Sequence, residues 1–155
     1  MRIIKLGIIS LVFFALMITL ISLFFPSKVR ISRATDIPAG QQELLAQLNN
    51  TDNWKNWYPG ADSAQLLPEI TAVTDSSVTA ASLLENGRRG ITGWNIYPSA
   101  YPGTVTLQWY MDFRLRWYPW EKFSGLLLDK RYGPVMEKGL ERLKKIFTKD
   151  SLPSL

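Results

Sequence analysis

The sequence predicts an α+β domain in which an antiparallel sheet is covered on one face by a long C-terminal helix, with one membrane-spanning helix ahead of it. Three patterns predict this: an uncharged apolar run over residues 6–27, alternation of apolar and polar residues over 104–117, and apolar residues at spacings of three and four from Phe123 to Phe147.

The apolar run is dense in Leu, Ile and Phe, with Arg2 and Lys5 before it and Lys28, Arg30 and Arg33 after it. A bilayer core takes about 20 apolar residues, so the length fits a single pass. A cleaved signal peptide has a shorter apolar region, about 7–15 residues, followed by small residues, and Phe24-Phe-Pro-Ser-Lys28 offers no Ala-x-Ala. A buried globular helix is the third option, and the unrelieved apolarity of the run argues against it. The five flanking basic residues are expected to meet lipid headgroups. They sit on both sides of the span and nearly cancel as an orientation signal, and the very short basic N-terminus tips the domain toward the non-cytoplasmic side.

In the alternating segment Val105, Leu107, Trp109, Met111, Phe113, Leu115 and Trp117 fall on odd positions, and Thr104, Thr106, Gln108, Asp112, Arg114 and Arg116 on even ones. Successive strand side chains point to opposite faces, so the odd set shares one face of a sheet covered on one side only. Tyr110 is the one large ring on the other side. Residues 78–84 and 89–97 predict two further strands, joined by Glu85-Asn-Gly-Arg88, whose Asn-Gly is a hairpin turn signal. Residues 70–73 predict another.

The cover comes from Phe123, Leu126, Leu127, Met136, Leu140, Leu143 and Phe147, a helical stripe between charged residues. Proline removes an amide donor and clashes with the preceding turn, so Gly133 and Pro134 predict a kink or two successive helices. The second would span 134–149, with Pro at its start and Lys144, Lys145 and Lys149 near its end, where cations suit the helix dipole.

Five phrases carry a resemblance: Leu23-Phe-Phe-Pro-Ser-Lys28; Asp36-Ile-Pro-Ala39; Asn53-Trp-Lys-Asn-Trp-Tyr-Pro59; Gly103-Thr-Val-Thr-Leu-Gln-Trp109; and Tyr118-Pro-Trp-Glu-Lys-Phe-Ser-Gly-Leu-Leu-Leu-Asp-Lys130 with its continuation Gly133-Pro-Val-Met-Glu-Lys-Gly-Leu-Glu-Arg-Leu-Lys-Lys145. They resemble the SRPBCC superfamily, more narrowly its bacterial polyketide cyclase/dehydrase and lipid transport group of START and Bet v 1 type, which often carries an N-terminal membrane helix. The resemblance implies a helix-grip fold, an antiparallel sheet wrapped around the C-terminal helix, in a single-pass protein of a bacterial inner membrane. It covers both ends of the chain. Residues 60–102 lack the family's Gly-rich aromatic hairpin, which implies a shorter sheet and a smaller pocket or none.

The chain divides into an anchor at 1–27, one domain at 28–150, which is enough for a single core, and a disordered tail at 151–155. The net charge is +5 and the pI about 9.6, values compatible with anionic partners. Along the last helix, however, basic residues interleave with acids, as in Glu137-Lys138 and Glu141-Arg142, the pattern of a solvated face. Nucleic acid is therefore not an expected partner. Asn49-Asn-Thr51 matches a glycosylation pattern and reads as a helix-ending turn.

Histidine and cysteine are both absent, which excludes Ser-His catalysis, a thiol nucleophile and structural zinc. No catalytic residue, metal or cofactor is expected. Asp112 and Asp129 read as surface acids paired with neighbouring Arg or Lys. The candidate pocket residues are aromatic and apolar: Trp54, Trp57, Trp94, Tyr97, Trp109, Met111, Phe113, Leu127, Met136 and Leu140. Such walls suit a lipid-like or polycyclic ligand bound between sheet and helix. They equally suit a filled core, since a one-sided sheet needs large rings at strand spacing. Two alternatives stay open: a cyclase or dehydratase, and an interaction module presenting the aromatic edge 54–59 at the membrane.

Overall fold

The computed structural model describes residues 2–61, 67–83 and 89–150. Helix α1 (Arg2–Leu23) leads into β1 (Lys28–Ile37), α2 (Gln41–Asn49) and a 3-10 helix (Thr51–Asn56). Strands β2 (Glu69–Thr74), β3 (Ser77–Leu83), β4 (Arg89–Pro98) and β5 (Val105–Arg114) follow, then α3 (Pro119–Gly125) and α4 (Leu128–Asp150). The strands form one antiparallel sheet in the order β1-β5-β4-β3-β2. This is the helix-grip arrangement expected from the sequence. The predicted Asn-Gly turn and the tail at 151–155 lie outside the described residues.

Strand β5 lies between β1 and β4, and its alternation is realised from Leu107 to Phe113, whose odd side chains are buried while Gln108, Tyr110 and Asp112 are half-buried. The expectation fails at the strand's end. Leu115 N–H donates to Ser27 O, immediately before β1 begins, and beyond that point no partner strand remains. The chain then turns toward α3, and Trp117, expected on the inner face, is 61% exposed.

The helical break is also corrected. It falls at Leu126 and Leu127, and α4 runs from Leu128 through Pro134 without interruption. Pro134 forfeits one backbone hydrogen bond. Residues on both sides of it hold the helix to the sheet: Tyr132 packs on Phe113 with ring centroids 4.9 Å apart, and Met136, Leu140, Leu143 and Phe147 are buried. The stripe divides at the same place, because Leu126 and Leu127 are 62% and 64% exposed.

Helix α4 packs chiefly over β1 and sits close enough to the sheet to require glycine. A Cβ on Gly139 would lie 2.6 Å from Trp109 Cζ3 and 2.9 Å from Pro59 Cδ; one on Gly133 would collide with the Arg33 guanidinium. Arg33 reaches across this seam, its Nε 2.7 Å from Glu137 Oε1 and its Nη1 3.0 Å from Asp129 Oδ1. The ion pairs and the adjacent carboxylates raise its pKa.

Helix α1 is apolar on every side, and of its residues only Ser22 is buried. Its 22 residues span about 33 Å. Among the described residues it is the one helix long and apolar enough to cross a membrane, a test that a signal sequence near the N-terminus also passes.

Because Trp109 and Pro59 cannot yield as a flexible side chain would, Gly139→Val should destabilise the domain by about 1–3 kcal/mol despite relieving glycine's helix penalty. Denaturant unfolding of the detergent-solubilised chain, followed by tryptophan emission, measures it. An unchanged midpoint would show that α4 has room to lift away from the sheet.

Candidate functional site

The concave side of the sheet is built on one parity in each strand. From β3 it receives Val78, Ala80 and Ser82; from β4 Gly90, Thr92, Trp94 and Ile96; from β5 Leu107, Trp109, Met111 and Phe113; and from β1 Ile31, Arg33 and Ile37. Trp94 lies opposite Val78 on one side and Trp109 on the other. Next to these rings the inner face becomes small: Ala80 pairs with Thr92, and Ser82 with Gly90.

Large rings meet over Trp94 and Trp109. Helix α2 ends at Asn49, and Asn50 Oδ1 accepts from Asp52 N–H to start the 3-10 helix, so the Asn49-Asn-Thr51 phrase is a helix-ending turn as read. The 3-10 helix and its exit deliver Trp54, Trp57 and Tyr58, all buried. Trp54 stands 5.0 Å from Trp94, Trp57 6.1 Å from Trp109, and Tyr58 5.4 Å from Trp109, centroid to centroid. Most of these pairs are edge-to-face or tilted, the geometry ring quadrupoles prefer, worth about 0.5–1.5 kcal/mol per pair beyond area burial.

The polar atoms of this interior are unevenly served. Trp54 Nε1 donates to Leu48 O at 2.8 Å, and Trp109 Nε1 donates to Thr92 Oγ1 at 2.7 Å. Trp57 Nε1, Trp94 Nε1 and Ser82 Oγ are equally buried and have no hydrogen-bond partner among the described residues. Leaving a buried donor unmade costs about 1–3 kcal/mol, so a water or ligand group that met any of these three would be stabilising. Tyr58, also buried, has its phenol pKa pushed above the ordinary range by desolvation, which keeps it a neutral hydrogen-bond donor and acceptor.

Eight of the ten predicted pocket residues meet at this interior: Trp54, Trp57, Trp94, Trp109, Met111, Phe113, Met136 and Leu140 are all in its core. Two do not. Tyr97 has the opposite parity to Trp94, and it stands 47% exposed on the outer face, its hydroxyl 3.3 Å from Gln108 Oε1. Leu127 sits at the exposed break between α3 and α4. The residues that sequence reasoning missed are Tyr58, Ser82 and Thr92. Parity with Trp94 would have found Thr92, and Ser82 follows from its partner strand.

Two of the basic residues assigned to headgroups have acidic partners within the domain. Arg30 makes a bidentate pair with Asp112, at 2.6 and 2.7 Å, and lies over the Tyr110 ring on the outer face. Arg33 points to the opposite face and is held by α4. Both guanidiniums are committed within the domain, and Asp112 and Asp129 are the paired surface acids expected. The edge 54–59 is no exposed aromatic surface either, since Trp54, Trp57 and Tyr58 are interior. Among the described residues no cluster of three or more acidic residues could hold a metal ion.

No family model matches the chain, and no curated protein matches it in sequence. Solved structures do. The di-domain ARO/CYC StfQ of the steffimycin biosynthetic pathway superposes with a TM-score of 0.60 at 9% identity, over 80% of this chain and 52% of that one. XoxI from Bacillus cereus superposes at 0.55 with 10% identity, over 77% and 96% of the two chains. The chain shares its fold with these structures, the helix-grip fold expected from the sequence. A third neighbour, CalU16 from Micromonospora echinospora, gives 0.55 at 12% identity over 80% and 77%. At these identities the likeness is one of backbone alone.

Two measurements test this interior. Trp109→Ala removes a fully packed ring and the donor to Thr92, and should cost about 3–5 kcal/mol of stability; a silent substitution would contradict its placement. For Tyr58 the folded pKa lies above the unfolded value of about 10, so its contribution is complete below pH 10 and is lost as pH rises toward the folded pKa. Tyr58→Phe should therefore flatten the fall of stability with pH above about 10. Parallel alkaline unfolding curves for the two proteins would place the phenol in water.

Proposed function

We propose that the domain holds an apolar small molecule bearing a hydrogen-bond acceptor against the concave face of its sheet, and that α1 keeps it at a membrane. The observation that carries the reading is the division among four buried indoles of one cluster, two with acceptors and two, Trp57 and Trp94, without. With Ser82 they supply donors on a face otherwise made of rings and small aliphatic groups. A carbonyl or hydroxyl on a lipid-like or polycyclic ligand would satisfy such donors, while its body replaces water on the apolar wall. The structural neighbours support the reading by architecture, among them StfQ, an ARO/CYC protein of the steffimycin biosynthetic pathway.

Binding needs no catalytic group, and the site's one strongly shifted phenol is shifted toward neutrality, which favours hydrogen bonding over proton transfer. The inner-face side chains are smallest at Ala80, Ser82, Gly90 and Thr92, and on this reading the ligand's body would lie there, beside the tryptophans. Affinity would come from apolar burial at about 25 cal/mol per Å², less the costs of association.

The full chain, purified in mild detergent and extracted with organic solvent, should release a defined apolar molecule detectable by mass spectrometry. Ala80→Leu, which fills the inner face of β3, should lose that molecule while retaining annular lipid and the near-ultraviolet signature of the tryptophan cluster. Identical extracts from both proteins would contradict a bound ligand. The anchor has its own readout, since a chain spanning through α1 resists extraction by alkaline carbonate.

A further inference from the structure

A second aromatic set lies on the outside of the domain, and it is not accounted for by the grip. After β5 the chain passes through Trp117 and Tyr118 into α3, and the exposed side chains there include Trp117, Trp120, Phe123, Leu126 and Leu127. Three of the rings are already ordered against one another: Trp117 and Tyr118 are 4.7 Å apart, and Tyr118 and Trp120 stack at 4.9 Å with planes 8° from parallel. A contiguous exposed patch of this kind on one short segment marks a contact surface rather than scattered surface hydrophobes.

Its location follows from its attachment to the end of α1. Phe25 and Phe123 meet edge-to-face at 5.3 Å. Lys122, only 4% exposed, donates from Nζ to Phe25 O at 2.9 Å and to Ser27 Oγ at 2.6 Å. Ser22, in the last turn of α1, is buried, and α1 contacts α3 directly. The patch therefore sits at the level where α1 stops, with Phe24 beside it, almost wholly exposed.

The charge around it has the matching sign. Lys28 and Arg114 are directly opposite each other in the β1–β5 register, both exposed, with Arg116 two residues further on. Like charges directly across a ladder repel, and an anionic surface close by would attract both and offset that repulsion.

We propose that the segment from Trp117 to Leu127 docks in the interface of an anionic lipid bilayer beside the end of α1, with its rings at headgroup depth and Lys28, Arg114 and Arg116 against the phosphates. Tryptophan and tyrosine favour that layer because their rings are apolar and their polar edges stay wet. The inference rests on α1 spanning the membrane, as proposed above.

The test uses the full chain reconstituted in vesicles of phosphatidylcholine and phosphatidylglycerol, with the phosphatidylcholine brominated near the headgroup end of its acyl chains. Bromine quenches only rings that touch it, and four of the six tryptophans are interior. Brominated lipid should lower emission by up to about one third, the share of Trp117 and Trp120, and the double variant Trp117→Phe/Trp120→Phe should lose that sensitivity. Equal sensitivity in both proteins, or none in either, while the chain withstands alkaline carbonate, would overturn interfacial docking and leave the anchor standing, with the patch facing a protein instead. Release of the chain by carbonate would overturn the anchor and the docking together.

Discussion

Everything in this domain converges on the contact of Trp109 with Gly139 and Pro59. The ring belongs to the strand between β1 and β4, the glycine to the long helix, and the proline to the exit of the 3-10 helix, so one contact joins three layers. Its tightness dictates composition around it. The helix must offer no Cβ there, and the neighbouring turns of α4 must offer none at Gly133, where Arg33 crosses from β1 to reach Asp129 and Glu137. The seam is thus apolar at Trp109 and ionic at Arg33, directly opposite it in the β1–β5 register. The acidic partners of Arg33 are largely solvated, so its pairs add little energy.

With α4 held over β1, the face of β3 and β4 is left to the segment between β1 and β2, which brings Trp54, Trp57 and Tyr58 down onto Trp94. Rings in mutual contact fill space well, and their edges carry N–H groups that filling does not satisfy. Trp54 solves this by capping the carbonyl of Leu48, and Trp109 by using Thr92, whose hydroxyl in turn donates to Tyr110 O. Trp57 and Trp94 have no such neighbour among the described residues. A core selected only for stability would place apolar rings there, because an unmade buried bond costs more than phenylalanine's smaller area would.

The sequence made some of this legible and hid the rest for definite reasons. Strands 2 to 4 of the sheet were readable to within a residue or two, because Asn-Gly and the Pro and Gly clusters bound short β-branched runs. The inner face of β5 was readable from parity, and the same rule applied to β4 separates Trp94 from Tyr97. The helix break was misplaced because Pro134 is judged by its local cost, whereas Tyr132 and Met136 anchor the turn on either side of it to the sheet. Phe123, Leu126 and Leu127 carry helical spacing identical to that of core residues. Periodicity records which side chains avoid water and is silent on whether they meet a core or a bilayer.

That ambiguity bears on what an anchored domain of this build can do. Only Phe24, Phe25, Pro26 and Ser27 separate α1 from β1, a stretch that extends to no more than about 14 Å. Even this is not free: Phe25 is engaged by Phe123, and Lys122 holds the carbonyl of Phe25 and the hydroxyl of Ser27. A domain tied so closely has no reach to carry a molecule away from the surface where it acquired it. A short tether instead raises the concentration of the grip relative to ligands dissolved in that one membrane. On the proposed function, with α1 in a membrane, the domain would extract, hold or present an apolar molecule at a single bilayer face, and transfer over distance would require a second, mobile partner.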